Sequence, residues 1–139
     1  MPPLTAAFAV LTVLSAAAPA AAQPPAFDGT WSVIFTCPAS ADGATGYTRR
    51  FLAGVQNGRL HGQTGVEGQA SFLAFDGQIQ PNGQALLVGQ GMTGNPDYVV
   101  GRLRPATPYS FHVQASFGAR NGTGHRVEVR PCEAVFSRQ

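Results

Sequence analysis

Glycine and proline interrupt this chain too often for it to fold into helices. From residue 23 onward, the longest stretch that contains neither residue type runs from Tyr109 to Phe117, nine residues. Ordinary helices run about 11–12 residues and are destabilised by interior glycine and proline, whereas strands of about 5–9 residues fit these gaps. The spacing therefore predicts an all-β fold.

Apolar and polar residues alternate along the stretches between the interruptions. Trp31, Val33, Phe35 and Cys37 share one face of the first stretch. Two later stretches alternate in the same way, with Phe111 to Phe117 in one and Val127 and Val129 in the other. A period of two with one polar face is typical of half-buried antiparallel strands. We predict eight strands at 29–37, 47–55, 59–64, 69–79, 84–90, 97–104, 109–117 and 123–136.

Short connections join the predicted strands. Three Asn-Gly pairs, at 57–58, 82–83 and 121–122, suit tight hairpin turns because both positions of such turns need positive φ. Short connections favour a meander, and an eight-stranded meander can close on itself and remove its edges. We therefore predict an antiparallel up-and-down barrel. The alternative is a β-sandwich, which needs Greek-key crossovers and longer loops.

The chain has two cysteines, Cys37 and Cys132, 95 positions apart. In an exported chain an even count indicates a disulfide. Closure of the barrel places the first strand beside the last, which is where the two cysteines lie in the predicted strands. Cys132 has the opposite parity to Val127 and Val129, but a bulge at Pro131 would turn it inward. We predict one Cys37–Cys132 disulfide that closes the barrel.

The first 22 residues differ in composition from the rest. Met1 to Ala22 contains no charged side chain, and residues 6–17 form an apolar run. The run is shorter than the ~20 apolar residues of a membrane span and ends in small residues, where a cleavage site fits after Ala20 or Ala22. We predict a signal peptide at 1–22, a single barrel domain at 23–139 without a membrane span, and a secreted or periplasmic location.

Gly29-Thr30-Trp31 opens the first strand and resembles the G-x-W signature of lipocalins and the similar opening of avidins. Both are calycin-like, eight-stranded meander barrels. The resemblance implies that Trp31 packs at the closed end of the barrel, near an arginine that follows the last strands, and Arg138 occupies that place in sequence. The lipocalin T-D-Y segment is missing. Trp31 is the only tryptophan, which argues against the multi-tryptophan biotin site of avidins.

Signatures of catalysis are missing from the sequence. The three histidines, His61, His112 and His125, show no metal-ligand spacing, and no serine lies in a G-x-S-x-G elbow. No glycine-rich segment leads into a helix as a phosphate loop does. The formal charge of +2 is far from the basic footprint of a nucleic-acid binder. The nine basic residues are all arginine, a usage typical of GC-rich bacterial genomes. We therefore expect a non-enzymatic protein with no cofactor, no metal and no nucleic-acid partner.

Arginines carry the best binding signal. The strand map places a basic set on one wall of strands six to eight, where guanidinium groups could bind carboxylate or phosphate bidentately. The set comprises Arg102, Arg104, His112, Arg126 and Arg130. The alternative is a solvated wall with ordinary surface pairs. The leading hypothesis is an exported barrel that binds a small molecule or an envelope component. The alternatives are a module that binds an extracytoplasmic protein, such as an inhibitor of an exported enzyme, and a small hydrolase.

Overall fold

The computed structural model describes residues 1–4, 13–17 and 26–139. Within these ranges the chain forms eight strands and one short 3-10 helix, Pro96–Tyr98. The strands are β1 (Gly29–Cys37), β2 (Tyr47–Gln56), β3 (Arg59–Thr64), β4 (Leu73–Gln78), β5 (Gln84–Met92), β6 (Pro108–Phe117), β7 (Asn121–Arg126) and β8 (Glu133–Arg138).

The eight strands form a closed barrel in sequence order, and every neighbouring pair is antiparallel. β1 closes the barrel against β8, in a register that runs from Trp31 opposite Arg138 to Thr36 opposite Glu133. Closure leaves the sheet of these eight strands without an edge that could pair with another chain. The predicted up-and-down barrel is confirmed.

The two ends of the barrel differ. At the closed end, Trp31 is fully buried, its Nε1–H donates to the Phe27 carbonyl over 2.8 Å, and its ring meets Phe117 edge to face at 5.4 Å. The Arg138 guanidinium carbon lies 5.8 Å from the centre of the Trp31 ring. The open end is formed by the other strand ends, and four loops surround it: 38–46, 65–72, 93–107 and 127–132.

The middle of the barrel is filled by phenylalanine rings. Phe35 packs edge to face on Phe75 at 5.2 Å and stacks on Phe111 at 5.6 Å. Phe111 has room because its partner across the β5–β6 ladder is Gly89, where a Cβ would lie 2.4 Å from the ring. The barrel interior is therefore filled below the open end.

Two predicted strands are wrong. Residues 97–104 form no strand; they belong to the loop between β5 and β6, where the Asn95 side chain caps the 3-10 helix by accepting from the Asp97 N–H over 2.9 Å. The predicted strand 123–136 is divided into β7 and β8 by the 127–132 loop. The total remains eight, because the missing strand at 97–104 is offset by the division of 123–136 into two strands.

The 127–132 loop breaks the alternation of its apolar residues. Arg130 N–H donates to the Glu128 carbonyl and Cys132 N–H to the Arg130 carbonyl, so the chain makes two successive three-residue turns. Val127 and Val129, predicted to face inward, are 57% and 75% exposed. The predicted turn at Asn121-Gly122 is also wrong, because both residues lie in β7.

The disulfide joins Cys37, at the end of β1, to Cys132, just before β8, with Cα atoms 4.1 Å apart. The turns of the 127–132 loop, rather than a bulge within one strand, reset the parity and bury Cys132. The predicted cleavage site and most of residues 1–22 lie outside the described residues. The described residues 1–4 and 13–17 are exposed and contribute no strand. Among the described residues, no helix combines the length and the apolar character that crossing a membrane requires.

Candidate functional site

A cleft of about 580 Å³ occupies the open end of the barrel. Its volume lies within the range of small-molecule sites, roughly 300–1,000 Å³. Its lining includes six aliphatic or thioether side chains, those of Leu73, Met92, Val99, Val100, Leu103 and Val129. It also includes aromatic and cationic groups, supplied by Tyr47, Arg49, Tyr98, Tyr109, Arg126 and Arg130. The cleft therefore combines apolar surface with a small set of polar groups.

Strand alternation turns the polar residues toward the barrel axis. Tyr47 and Arg49 lie on the same face of β2 as the buried Phe51, and Tyr109 lies on the same face of β6 as the buried Phe111. Gly91 lies opposite Tyr109 and leaves space for its ring, since a Cβ there would lie 2.5 Å from the phenol oxygen. The sheet itself thus aims these side chains into the cleft.

Arg126 forms part of the floor of the cleft. It ends β7 on the inward face, and its guanidinium carbon lies 4.3 Å from the centre of the Phe111 ring. Its Nε–H donates to the Glu128 carbonyl over 2.8 Å, and its backbone N–H donates to the Cys132 carbonyl over 2.8 Å. Burial lowers the pKa of Arg126, and the charge of Arg130 lowers it further. Arginine nevertheless stays charged at any physiological pH.

Arg130 ties the loops of the open end together. It is 5% exposed, and its guanidinium donates to the carbonyls of Pro38, Thr45 and Tyr98 over 2.7–3.1 Å. These carbonyls satisfy the hydrogen bonds of the buried cation but do not neutralise its charge. Val129, beside it, has φ +67°, a region that β-branched residues rarely adopt. The loop is thus strained and tightly tethered.

The cleft gathers all three tyrosines of the chain, Tyr47, Tyr98 and Tyr109. Tyr47 meets Tyr98 edge to face at 6.3 Å, and Tyr109 stacks on Phe111 at 6.0 Å. Burial raises the pKa of Tyr109 to about 12, so its hydroxyl stays protonated and available as a donor at neutral pH. Among the described residues, neither the Tyr47 nor the Tyr109 hydroxyl has a hydrogen-bond partner within the protein.

No carboxylate lines the cleft in the described part of the chain. The ion pairs found there are His61–Asp76, Arg102–Asp97 and His112–Glu128, and none of them includes a cleft arginine. Three guanidinium groups therefore line a half-enclosed site without an ion-pair partner among the described residues. The nearby Glu128 carboxylate acts on Arg126 at longer range but is itself paired with His112. Such an arrangement favours a negatively charged ligand.

The five residues of the predicted anion-binding wall do not share one face. Arg126 and Arg130, both predicted to face outward, line the cleft instead: Arg126 lies on the inward face of β7, and Arg130 is buried. Arg102 and Arg104 lie on the exposed 93–107 loop, because the strand predicted there does not form. His112 faces outward, and both its backbone N–H and its Nδ1 contact the Glu128 carboxylate, at 2.8 and 2.7 Å.

Arg49 and the tyrosines are the site residues that the sequence prediction missed. Their signal was the strand alternation: Tyr47 and Arg49 continue the inward series of β2 beyond Phe51, and Tyr109 continues that of β6 beyond Phe111. A polar residue at an inward position near a strand end marks the mouth of a barrel.

The histidines that pair with acids lie outside the cleft. His61 Nδ1 is 2.6 Å from Asp76 Oδ1, and the His61 side chain is 57% exposed. The His112 side chain, paired with Glu128, is 47% exposed. Both pairs lie on the outer wall, and neither is buried as a catalytic pair in a pocket would be.

Comparison of this chain with protein-family models, with curated proteins and with solved structures finds no match.

Proposed function

We propose that this protein is an exported, non-enzymatic barrel that binds a small organic anion in the cleft at its open end. The observation that carries the proposal is the charge of the cleft. Arg49, Arg126 and Arg130 line it, and no carboxylate does so among the described residues. The aliphatic residues in the lining favour a ligand with an apolar body.

The proposed location rests on the disulfide. The Cys37–Cys132 bond fits an oxidising compartment, extracellular or periplasmic. The apolar, uncharged start of the sequence supports the same assignment as a signal peptide. The closed end supports a calycin-like plan, since Trp31 follows Gly29-Thr30 and lies beneath Arg138, as the resemblance to lipocalins implies.

Titration of the isotope-labelled mature protein with small acids and matched neutral alcohols, followed by NMR, tests the proposal. We expect the acids to shift amide signals of residues around the open end and the alcohols to bind more weakly. A hydrogen bond to a charged group contributes ~1.5–3 kcal/mol, so Arg49→Gln should weaken binding about 10- to 100-fold.

Arg50→Gln is the matched control, because Arg50 is the next residue of β2 and faces outward. It removes the same charge and should leave affinity unchanged. Equal losses in Arg49→Gln and Arg50→Gln, or no acid that binds at the open end, would refute an anion site in the cleft.

A protein-binding module is the second candidate. Large apolar side chains are exposed at the open end, with Tyr98 at 42%, Leu103 at 45%, Val127 at 57% and Val129 at 75%. Exposed apolar surface on loops is typical of protein interfaces. Under this reading Val127→Ser would abolish binding to an exported protein, whereas Arg49→Gln would not.

A further inference from the structure

We propose that the ligand of the cleft is an aromatic carboxylic acid, whose ring stacks on the Arg126 guanidinium and whose carboxylate pairs with Arg49. This inference rests on the proposed function and names the ligand class of the same site.

Arg130 is not available to hold a ligand carboxylate. Its Nε, Nη1 and Nη2 groups all donate to backbone carbonyls, and the side chain is almost fully buried. One face of its guanidinium covers the Tyr47 ring at 5.3 Å. Arg130 therefore supplies positive charge and holds the loops, whereas Arg126 and Arg49 make the direct contacts with the ligand.

Arg126 presents a flat cationic surface. Phe111 is 1% exposed and lies beneath the Arg126 guanidinium, which itself lines the cleft. The Nε–H bond to the Glu128 carbonyl fixes the plane of the group. A planar ring on the cleft side of the guanidinium would add a second aromatic contact to the Phe111–Arg126 pair, and guanidinium groups attract aromatic rings. A flexible alkyl chain gains nothing comparable from this surface.

Arg49 keeps donors for an anion. One of its terminal nitrogens, Nη2, donates to the Ser71 carbonyl over 2.8 Å, which holds the side chain in place. Its other N–H groups have no partner among the described residues, and the hydroxyls of Tyr47 and Tyr109 stand at the same inward face of the barrel mouth. Guanidinium N–H groups with phenol donors nearby suit a carboxylate.

The three tyrosines complete the aromatic surroundings. Tyr47 and Tyr98 form an edge-to-face pair in the lining of the cleft, and Tyr109 stacks on Phe111, the ring that Arg126 also contacts. Aromatic walls favour offset stacked or edge-to-face contact with a ligand ring. Their concentration at one site, with none elsewhere in the chain, points to recognition of a ring.

Calorimetric titration of the mature, disulfide-bonded protein with three probes tests the inference. The probes are cinnamate, nonanoate and cinnamyl alcohol, so that acid and ring are varied separately at the same carbon count. We expect cinnamate to bind about tenfold or more tighter than either of the other two. Arg49→Gln should remove the preference for cinnamate over cinnamyl alcohol. Arg126→Lys, which keeps the charge but loses the flat face, should remove the preference for cinnamate over nonanoate.

The outcomes separate the two proposals. If nonanoate binds as tightly as cinnamate, and Arg49→Gln weakens both, the ligand class is wrong while the anion site stands. If none of the probes binds, or if cinnamyl alcohol matches cinnamate, both proposals fail. Circular dichroism and the melting midpoint of each variant show that it is folded. A cinnamate preference over nonanoate that survives in a folded Arg126→Lys variant would overturn the stacking role.

Discussion

Replacing Trp31 with alanine removes the largest side chain of the closed end. Trp31 is fully buried, contacts Phe117, and lies beneath Arg138. Large aromatic-to-alanine changes in a core cost ~3–5 kcal/mol. The loss belongs at the upper end of that range here, because the Phe27 carbonyl also loses its buried donor and the Arg138 guanidinium loses its ring. A small domain is stable by only ~5–15 kcal/mol in total.

Denaturant unfolding of the wild type and two variants measures this effect. Trp31→Phe keeps an aromatic ring and loses the indole N–H, so its free energy of unfolding should fall by less than that of Trp31→Ala. Leu52→Ala is the control, since Leu52 is 60% exposed on the outer wall and surface changes stay within ~0.5 kcal/mol. A loss under ~1 kcal/mol in Trp31→Ala would show that Trp31 does not hold the closed end together.

Three further predictions concern the open end and the outer wall. Replacing both Cys37 and Cys132 with serine should lower the free energy of unfolding by up to ~4.7 kcal/mol, because the bridge spans 95 residues; unchanged denaturation midpoints would contradict this. Val129→Gly should stabilise the fold by ~1 kcal/mol, because glycine adopts positive φ without strain, and a lower melting midpoint would refute strain at Val129. The hydrogen bond to Asp76 raises the pKa of His61 above its ordinary value of 6.5. The His61–Asp76 pair therefore stabilises the fold fully below pH 6.5. Its contribution to the free energy of unfolding is lost as the pH rises through the raised pKa. As the pH rises through this window, the free energy of unfolding should therefore fall less for Asp76→Asn than for the wild type. Parallel pH profiles of the two proteins would refute the coupling between His61 and Asp76.

The strain at the open end bears on how the cleft keeps its shape. Of the residues other than glycine with positive φ in the described chain, Ser71, Arg102, Ala106 and Val129 lie in loops around the open end. Strained conformations persist only where the surroundings over-determine them, and they concentrate at functional sites. Here the disulfide, the Arg130 carbonyl contacts and the Glu128–His112 pair hold the 127–132 loop. We therefore expect the cleft to be pre-formed before a ligand binds.

Local periodicity alone determined most of the barrel. The alternation from Trp31 to Cys37 and from Phe111 to Phe117 predicted two strands closely, because half-buried strands impose a period of two on the sequence. The Asn57-Gly58 pair predicted the β2–β3 hairpin, and both residues have positive φ in the structure. Closure and the disulfide followed from the number of strands and the positions of the cysteines.

Tertiary structure decided the open end. Tyr98 to Leu103 carries the apolar residues of a strand, yet these residues cover the cleft instead of pairing with a neighbour. Val127 and Val129 alternate like core residues but are exposed, because the turns around Val129 and Pro131 bury Arg130 and Cys132 instead. The alternation of apolar and polar residues along the sequence indicates only which residues could share one face of a strand. Whether that face meets the core, a cleft or solvent depends on contacts with loops distant in sequence. Strand alternation turned Arg49 inward, but only the loop contacts buried Arg130 and completed the site around Arg49 and Arg126.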